Sequence, residues 1–267
     1  MNAIRRSFLH IVVLSLAALP GCASVSAPRS TAASQVLAPT GKLRVGLYPG
    51  TPTSIVGDPA SGKAKGVGFD LGRELALRAG VPFEPVVFKN NAEVFAAAKA
   101  GSVDMVFTNA TPARRNDLDF SPTVLQVEQG YLVPVGSAIR ALGEIDRAGV
   151  RVGVSEGSTS EAVLSRELRN ATVVRTSSLK SAIDMLATGK LEAFATNKAT
   201  LFEMSDGLPG SRVLDGRWGL ESFAMGIPKG RETALPLVTT FVGEAKANGA
   251  VARAVERAGL RGTVVPD

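Results

Sequence analysis

The chain has 267 residues, 45% hydrophobic and 20% charged, which excludes a disordered chain and allows one large domain or two lobes with separate cores. Its formal net charge is +6, or about +4 without Arg5 and Arg6 of the leader described below, and no basic run carries interleaved aromatics, which argues against nucleic acid as a partner. The single histidine is His10 and the single cysteine Cys22, so the chain after Cys22 supports no Ser-His-Asp triad, no zinc site of the usual His/Cys kind and no internal disulfide, and nothing in it calls for a cofactor.

Residues 1–22 read as an export leader with a lipobox. Arg5 and Arg6 make the basic start, and residues 11–19 (IVVLSLAAL) form an apolar stretch too short to span a bilayer. Leu19-Pro20-Gly21-Cys22 resembles a bacterial lipobox, which would make Cys22 a lipidated first residue; Pro20 departs from the small residue usual there. A plain leader followed by a chance cysteine is the alternative. Arg5-Arg6-Ser7-Phe8-Leu9 resembles a twin-arginine core, although two ordinary leader arginines look the same. Residues 23–40, rich in Ala, Ser, Thr and Pro, read as a flexible tether. The expected location is the periplasm, or the cell surface of a Gram-positive host, with acyl chains in the membrane.

From residue 43 short apolar runs alternate with helical patterns. The sequence predicts a strand over 43–47, a helix over 70–79 closed by Gly80, an extended run over 82–88, a helix over 91–100 stopped by Gly101, and a buried strand over 103–108. The plan recurs as a strand over 150–154, a helix over 158–168, a strand over 172–175, a helix over 179–188 and a strand over 191–196. Such alternation implies parallel sheets covered by helices. Residues 101–109 (GSVDMVFTN) also echo residues 189–197 (GKLEAFATN): a helix-ending Gly, an acid, an apolar strand and a final Thr-Asn. Two lobes on one plan would place Thr108-Asn109 and Thr196-Asn197 at the C-terminal ends of strands, facing a shared cleft. Coincidence between two generic helix-strand turns is the alternative.

Leu43-Arg44-Val45-Gly46, Gly66-Val67-Gly68-Phe69-Asp70-Leu71, Gly101-Ser102-Val103-Asp104, Thr111-Pro112-Ala113-Arg114, Asp119-Phe120-Ser121-Pro122, Val152-Gly153-Val154 with Gly157-Ser158-Thr159, and Gly226-Ile227-Pro228-Lys229-Gly230 run in an order that resembles the family 3 extracellular solute-binding proteins, the polar amino acid binders of ABC importers. The resemblance implies an α/β, two-lobed periplasmic-binding-protein-like fold of type II. Lobe one would be 41–132 plus 224–267 and lobe two 136–222, with hinges near Val133-Pro134-Val135 and Glu221-Ser222-Phe223. It implies a monomer that closes on a small anionic or zwitterionic ligand by hinge motion and is then read by ABC permease subunits.

Carried over residue by residue, Arg114 matches the arginine that clamps the ligand carboxylate, a role suited to a permanently charged, two-pronged donor; Arg115 is its rival. The loop between Asp104 and Arg114 is about two residues shorter than the usual family form, which bears on the placement of Asn109 and Thr111, also expected to touch ligand. Ser158 and Thr159 open a helix with a capping-box pattern to Glu161, an end suited to an anion. Asn197 falls where the family keeps an acid for the ligand ammonium, and Tyr48 is the nearest match to the aromatic residue of the first strand-helix loop. The ammonium half of an amino acid site therefore looks altered. Standard amino acids should bind poorly unless another acid, such as Glu221 or Asp215, reaches in, and the reading leans towards a ligand with a weakened ammonium demand. A dehydratase on the same fold, with Glu156 as acid, and a sensing module are the competing functions.

Overall fold

The computed structural model describes residues 31–264. The leader, the lipobox and Cys22 lie outside the described residues. The tether reading needs correction in its second part, because Ala32–Leu37 forms a helix, α1, capped by the Thr31 hydroxyl accepting from Ser34 N–H. Leu37 is fully buried in the main apolar core, and its carbonyl accepts from Arg231 Nη1 at 3.2 Å. Composition alone hides this helix, since one leucine and one arginine some 194 residues apart fix it.

Leu43–Leu47 (β1), Val67–Ala79 (α2), Phe83–Val87 (β2), Asn91–Lys99 (α3) and Met105–Asn109 (β3) build the first half, with β1 parallel to β2 and to β3. Leu118–Phe120 (β4) and Leu125–Val133 (β5) follow. The second half repeats the plan as Arg151–Ser155 (β6), Thr159–Glu167 (α4), Thr172–Thr176 (β7), Leu179–Ala187 (α5), Ala193–Asn197 (β8) and Lys198–Asp206 (α6), with β6 parallel to β7 and to β8. Arg212–Val213 (β9), Gly219–Pro228 (β10), Leu235–Ala247 (α7), Ala250–Ala258 (α8) and Thr263–Val264 (β11) complete the described chain. Along the sheet the order is β2-β1-β3-β10-β5-β8-β6-β7, with β4 on β10 and with β9 and β11 on β5. Helix α2 starts at Val67, ahead of the expected Asp70. Asp70 is not its cap; it is buried, and its carboxylate accepts from Arg257 Nε at 2.7 Å.

The two halves carry the same pin at the far end of their strands. Arg44 donates from Nε to Asp104 at 2.9 Å and from Nη2 to the Gly101 carbonyl at 2.7 Å. Arg151 donates from Nε to Glu192 at 2.9 Å and from Nη2 to the Gly189 carbonyl at 2.6 Å. Each acid also accepts the arginine's own backbone N–H, at 2.9 Å in the first half and 2.7 Å in the second. The echo between residues 101–109 and 189–197 is thus a repeated structural unit. It sets the register of β1 on β3 and of β6 on β8, so that Asn109 and Asn197 both end their strands on the same side.

β5 and β10 join the halves. β10 pairs with β3 through Phe223–Gly226 and with β5 through residues 219–223, while β5 pairs with β8 from Gln129 to Leu132. The first passage between halves therefore falls within β5, at 125–129, ahead of the 133–135 expected from sequence. A hydrogen-bonded strand carries the chain across, and Val133-Pro134 only ends it.

Candidate ligand-binding site

Six of the seven residues singled out for ligand contact, Tyr48, Asn109, Arg114, Ser158, Thr159 and Asn197, line one cavity between the halves. Its space for water centres is about 60 Å³, enough for roughly four to six waters at ~10–15 Å³ each. Thr111 is not among them. It lines an adjoining outer groove instead, because its hydroxyl accepts the Arg114 N–H at 3.3 Å and shapes the turn that carries that arginine.

Arg114 is held from several sides. Its Nη1 donates to the Thr108 hydroxyl at 2.8 Å and to the Asn109 carbonyl at 3.1 Å, Nη2 reaches the Gly157 carbonyl at 3.4 Å, and the guanidinium lies 4.0 Å over the Phe95 ring. Nε–H has no partner among the described residues. Loss of water lowers the Arg114 pKa to about 10, a pull opposed by the charge of Glu221, so the group stays cationic at neutral pH. Arg115 stacks instead on Phe120 and is exposed.

Ser158 caps α4, accepting the Glu161 N–H at 3.1 Å, and Glu161 accepts the Gly157 N–H at 2.7 Å. Among the described residues the Thr159 and Ser160 N–H groups are unpaired at this helix start, which leaves them for a ligand oxygen. Asn197 ends β8 and caps α6, its Oδ1 accepting from Thr200 N at 3.0 Å and from the Thr200 hydroxyl at 3.1 Å. The cap fixes the amide orientation, so Asn197 can offer the cavity only N–H donors.

The cleft is closed. The Tyr48 hydroxyl meets that of Ser155 at 3.3 Å, Thr51 meets Thr200 at 2.6 Å, and Asn109 Nδ2 donates to the Thr159 hydroxyl at 3.4 Å. Of the two acids named as possible substitutes at the site, Asp215 lines a separate surface hollow, whereas Glu221 lines the cavity and is 7% exposed. Burial raises the Glu221 pKa; the Arg114 charge and hydrogen bonding by Thr159, Gln129 and Asn109 oppose the rise. No local pattern marks Glu221, whose position depends on the crossing strand. Glu156, the acid of the dehydratase alternative, is exposed and not among the cavity-lining residues.

Two α/β lobes that share a pair of crossing strands and shut around a small charged chamber define a protein that encloses a polar solute. The model of the bacterial extracellular solute-binding proteins, family 3, matches residues 43–259, and the chain belongs to that family. A glutamine-binding protein of Geobacillus stearothermophilus is 26% identical over 239 residues, covering 82% of this chain and 90% of that one. Among solved structures, an amino acid ABC transporter substrate-binding protein from Streptococcus pneumoniae bound to L-arginine superposes with a TM-score of 0.76 at 20% identity, covering 84% of this chain and 97% of that one. An ancestral amino acid-binding protein, a precursor of cyclohexadienyl dehydratase, gives 0.73 at 24%, covering 84% and 98%. At these identities the superpositions speak for the fold.

Proposed function

We propose that the chain is the substrate-binding component of an ABC importer and captures a small polar solute with a carboxylate, an amino acid or a close relative. The observation that carries this reading is Arg114, locked by Thr108, Asn109 and Phe95 with Nε–H unpaired in a closed cavity. Opposite it, the free N–H groups of Thr159 and Ser160 would receive the same carboxylate. The names of the glutamine-binding and arginine-bound relatives agree with this ligand class. Lobe one as 41–132 plus 224–267 and lobe two as 136–222, refined by the passage inside β5, would rock about the crossing strands. The closed monomer would then be what permease subunits recognise. Glu156, the acid of the dehydratase alternative, stands exposed outside the cavity lining, which favours a binding protein over an enzyme.

Native mass spectrometry of freshly purified protein identifies the retained solute, and calorimetry then compares wild type with Arg114→Ala. Stranding the ligand carboxylate should cost about 2–5 kcal/mol with an unchanged far-UV spectrum. Equal affinity in the two proteins refutes the assignment. We also propose that Cys22 carries acyl chains and holds the binding domain at the outer face of a membrane. Cys22→Ser should then move the protein from the membrane to the soluble fraction.

A further inference from the structure

Glu221 is the one carboxylate, and Arg114 the one cation, among the residues lining the cavity. Glu221 sits on β10 opposite Val127 of β5, where the chain crosses between lobes. Its Oε1 accepts from Asn109 Nδ2 at 3.4 Å, a long contact, and the Thr159 hydroxyl and the Gln129 amide are its other polar neighbours. Among the described residues the buried Gln129 Nε2 makes no well-formed hydrogen bond, so its hold on Glu221 is weak. These neighbours come from β3, α4 and β5, so both lobes and a crossing strand converge on one carboxylate. All three are neutral. Arg114 acts on Glu221 through its field but forms no ion pair with it; its Nη1 and Nη2 donors go to Thr108, to the Asn109 carbonyl and to the Gly157 carbonyl. A carboxylate buried with only weak neutral partners is poorly compensated. Asn197, which lines the same cavity on β8, turns donors inward, which repels a cationic nitrogen there.

We propose that Glu221 pairs with the cationic nitrogen of the ligand, and that the ligand is therefore a zwitterion whose ammonium lies against the second crossing strand instead of the β8 end. This reverses the lean towards a weakened ammonium demand, and it rests on the binding function proposed above. Arg114 and Glu221 line a chamber small enough for one compact amino acid head group to meet both. The same position makes Glu221 a charge reader for closure, since a cation held by the carboxylate on the crossing strand, with the Thr159 hydroxyl of the second lobe beside it, bears on both lobes.

The test screens wild type, Glu221→Gln and Glu221→Asp by thermal shift and calorimetry against the twenty L-amino acids and the matching des-amino carboxylates. Wild type should prefer an amino acid over its des-amino partner by about 30-fold or more, the scale of stranding a buried charge. Glu221→Gln should weaken the amino acid by about 30-fold or more and strengthen the des-amino carboxylate, because the repelling charge is gone. Glu221→Asp should fall between. Equal weakening of both ligand types would mean a structural buttress and overturn the proposal, as would an unchanged amino acid affinity in Glu221→Gln. Should that variant fail to fold, the wild-type pair decides alone, and equal affinity for amino acid and des-amino partner overturns the proposal. Binding of des-amino carboxylates only defeats this inference and leaves the binding function standing; binding of neither class defeats both.

Discussion

Replacing Gly157 with alanine separates closure from folding. Gly157 has φ +72°, and a Cβ built there would lie 2.9 Å from the backbone N and Cα of Ala92, at the start of α3 in the opposite lobe. That is about 0.6 Å inside the ~3.5 Å at which carbon atoms make their best contact. The lobes must part by a similar amount. Two contacts across the cleft, Arg114 to the Gly157 carbonyl and Asn109 to Thr159, already stand at 3.4 Å and would pass out of range. At about 0.5–1.5 kcal/mol for each hydrogen bond, the closed form loses about 1–3 kcal/mol, or roughly 5- to 150-fold in affinity. The left-handed backbone penalty, about 1–2 kcal/mol, falls on open and closed forms alike and lowers the melting temperature only. Gly189→Ala is the matched control: φ is +65°, with nothing within 4 Å of the added Cβ. Calorimetry with the best-stabilising ligand and solution scattering with and without it read the two effects. If Gly157→Ala binds as tightly as Gly189→Ala and contracts as far on binding, the contact with Ala92 does not belong to the ligand-bound state.

The twin pins give a second test. Asp104 is fully buried and bonded to Arg44 and, at 2.6 Å, to Arg231, so Asp104→Asn should cost about 3–5 kcal/mol in urea denaturation. Glu192 is about one-third exposed, so Glu192→Gln should cost only about 1 kcal/mol, and equal losses would show that burial is not what separates the pins. A third test concerns pH. Glu221 is raised above its ordinary 4.5 in the folded state, so between that value and its folded pKa the native protein binds more protons than the unfolded chain, and stability falls as pH rises. Ligand-free wild type should therefore lose stability relative to Glu221→Gln from about pH 4.5 upwards; parallel profiles would place Glu221 outside the low-dielectric chamber. Glu128, whose pKa is lowered by its hydrogen bond from Lys198, contributes stability lost as pH falls, but equally in both proteins, so it cancels.

Elements with local signatures were legible. Gly80 and the Ser158–Glu161 cap mark helix ends by backbone chemistry alone, and the apolar runs that became β1, β3, β6 and β8 are short, bounded and repeated. What escaped depends on distant partners. The early start of α2 follows from Gly66, where a Cβ would come within 2.2 Å of the Ser54 carbonyl oxygen, a contact no helix pattern reveals. Asn197 was placed at the cleft by its strand, yet its cap on α6 fixes which of its atoms the cavity meets. Glu221 looks like an ordinary acid beside Ser222, and only the pairing of β10 with β3 and β5 carries it to Asn109, 112 residues away. Local periodicity reports which face of an element is apolar; it says little about which strand will cross a gap.

The place of β10 between β3 and β5 also orders the making of the protein. In chain order β1, β2 and β3 come first, then the whole second lobe, and only afterwards the strand that completes the first sheet. Until Gly219–Pro228 emerges, β3 has no β10 beside it and α7 and α8 have yet to cover the core around β1 and α2. The second lobe, continuous in sequence from β6 through α6, has its strands, helices and pin in hand long before that. As the chain emerges N-terminus first, then, the second lobe can finish folding while the first waits with an open edge, and the last strand to arrive brings Glu221 into the chamber it completes.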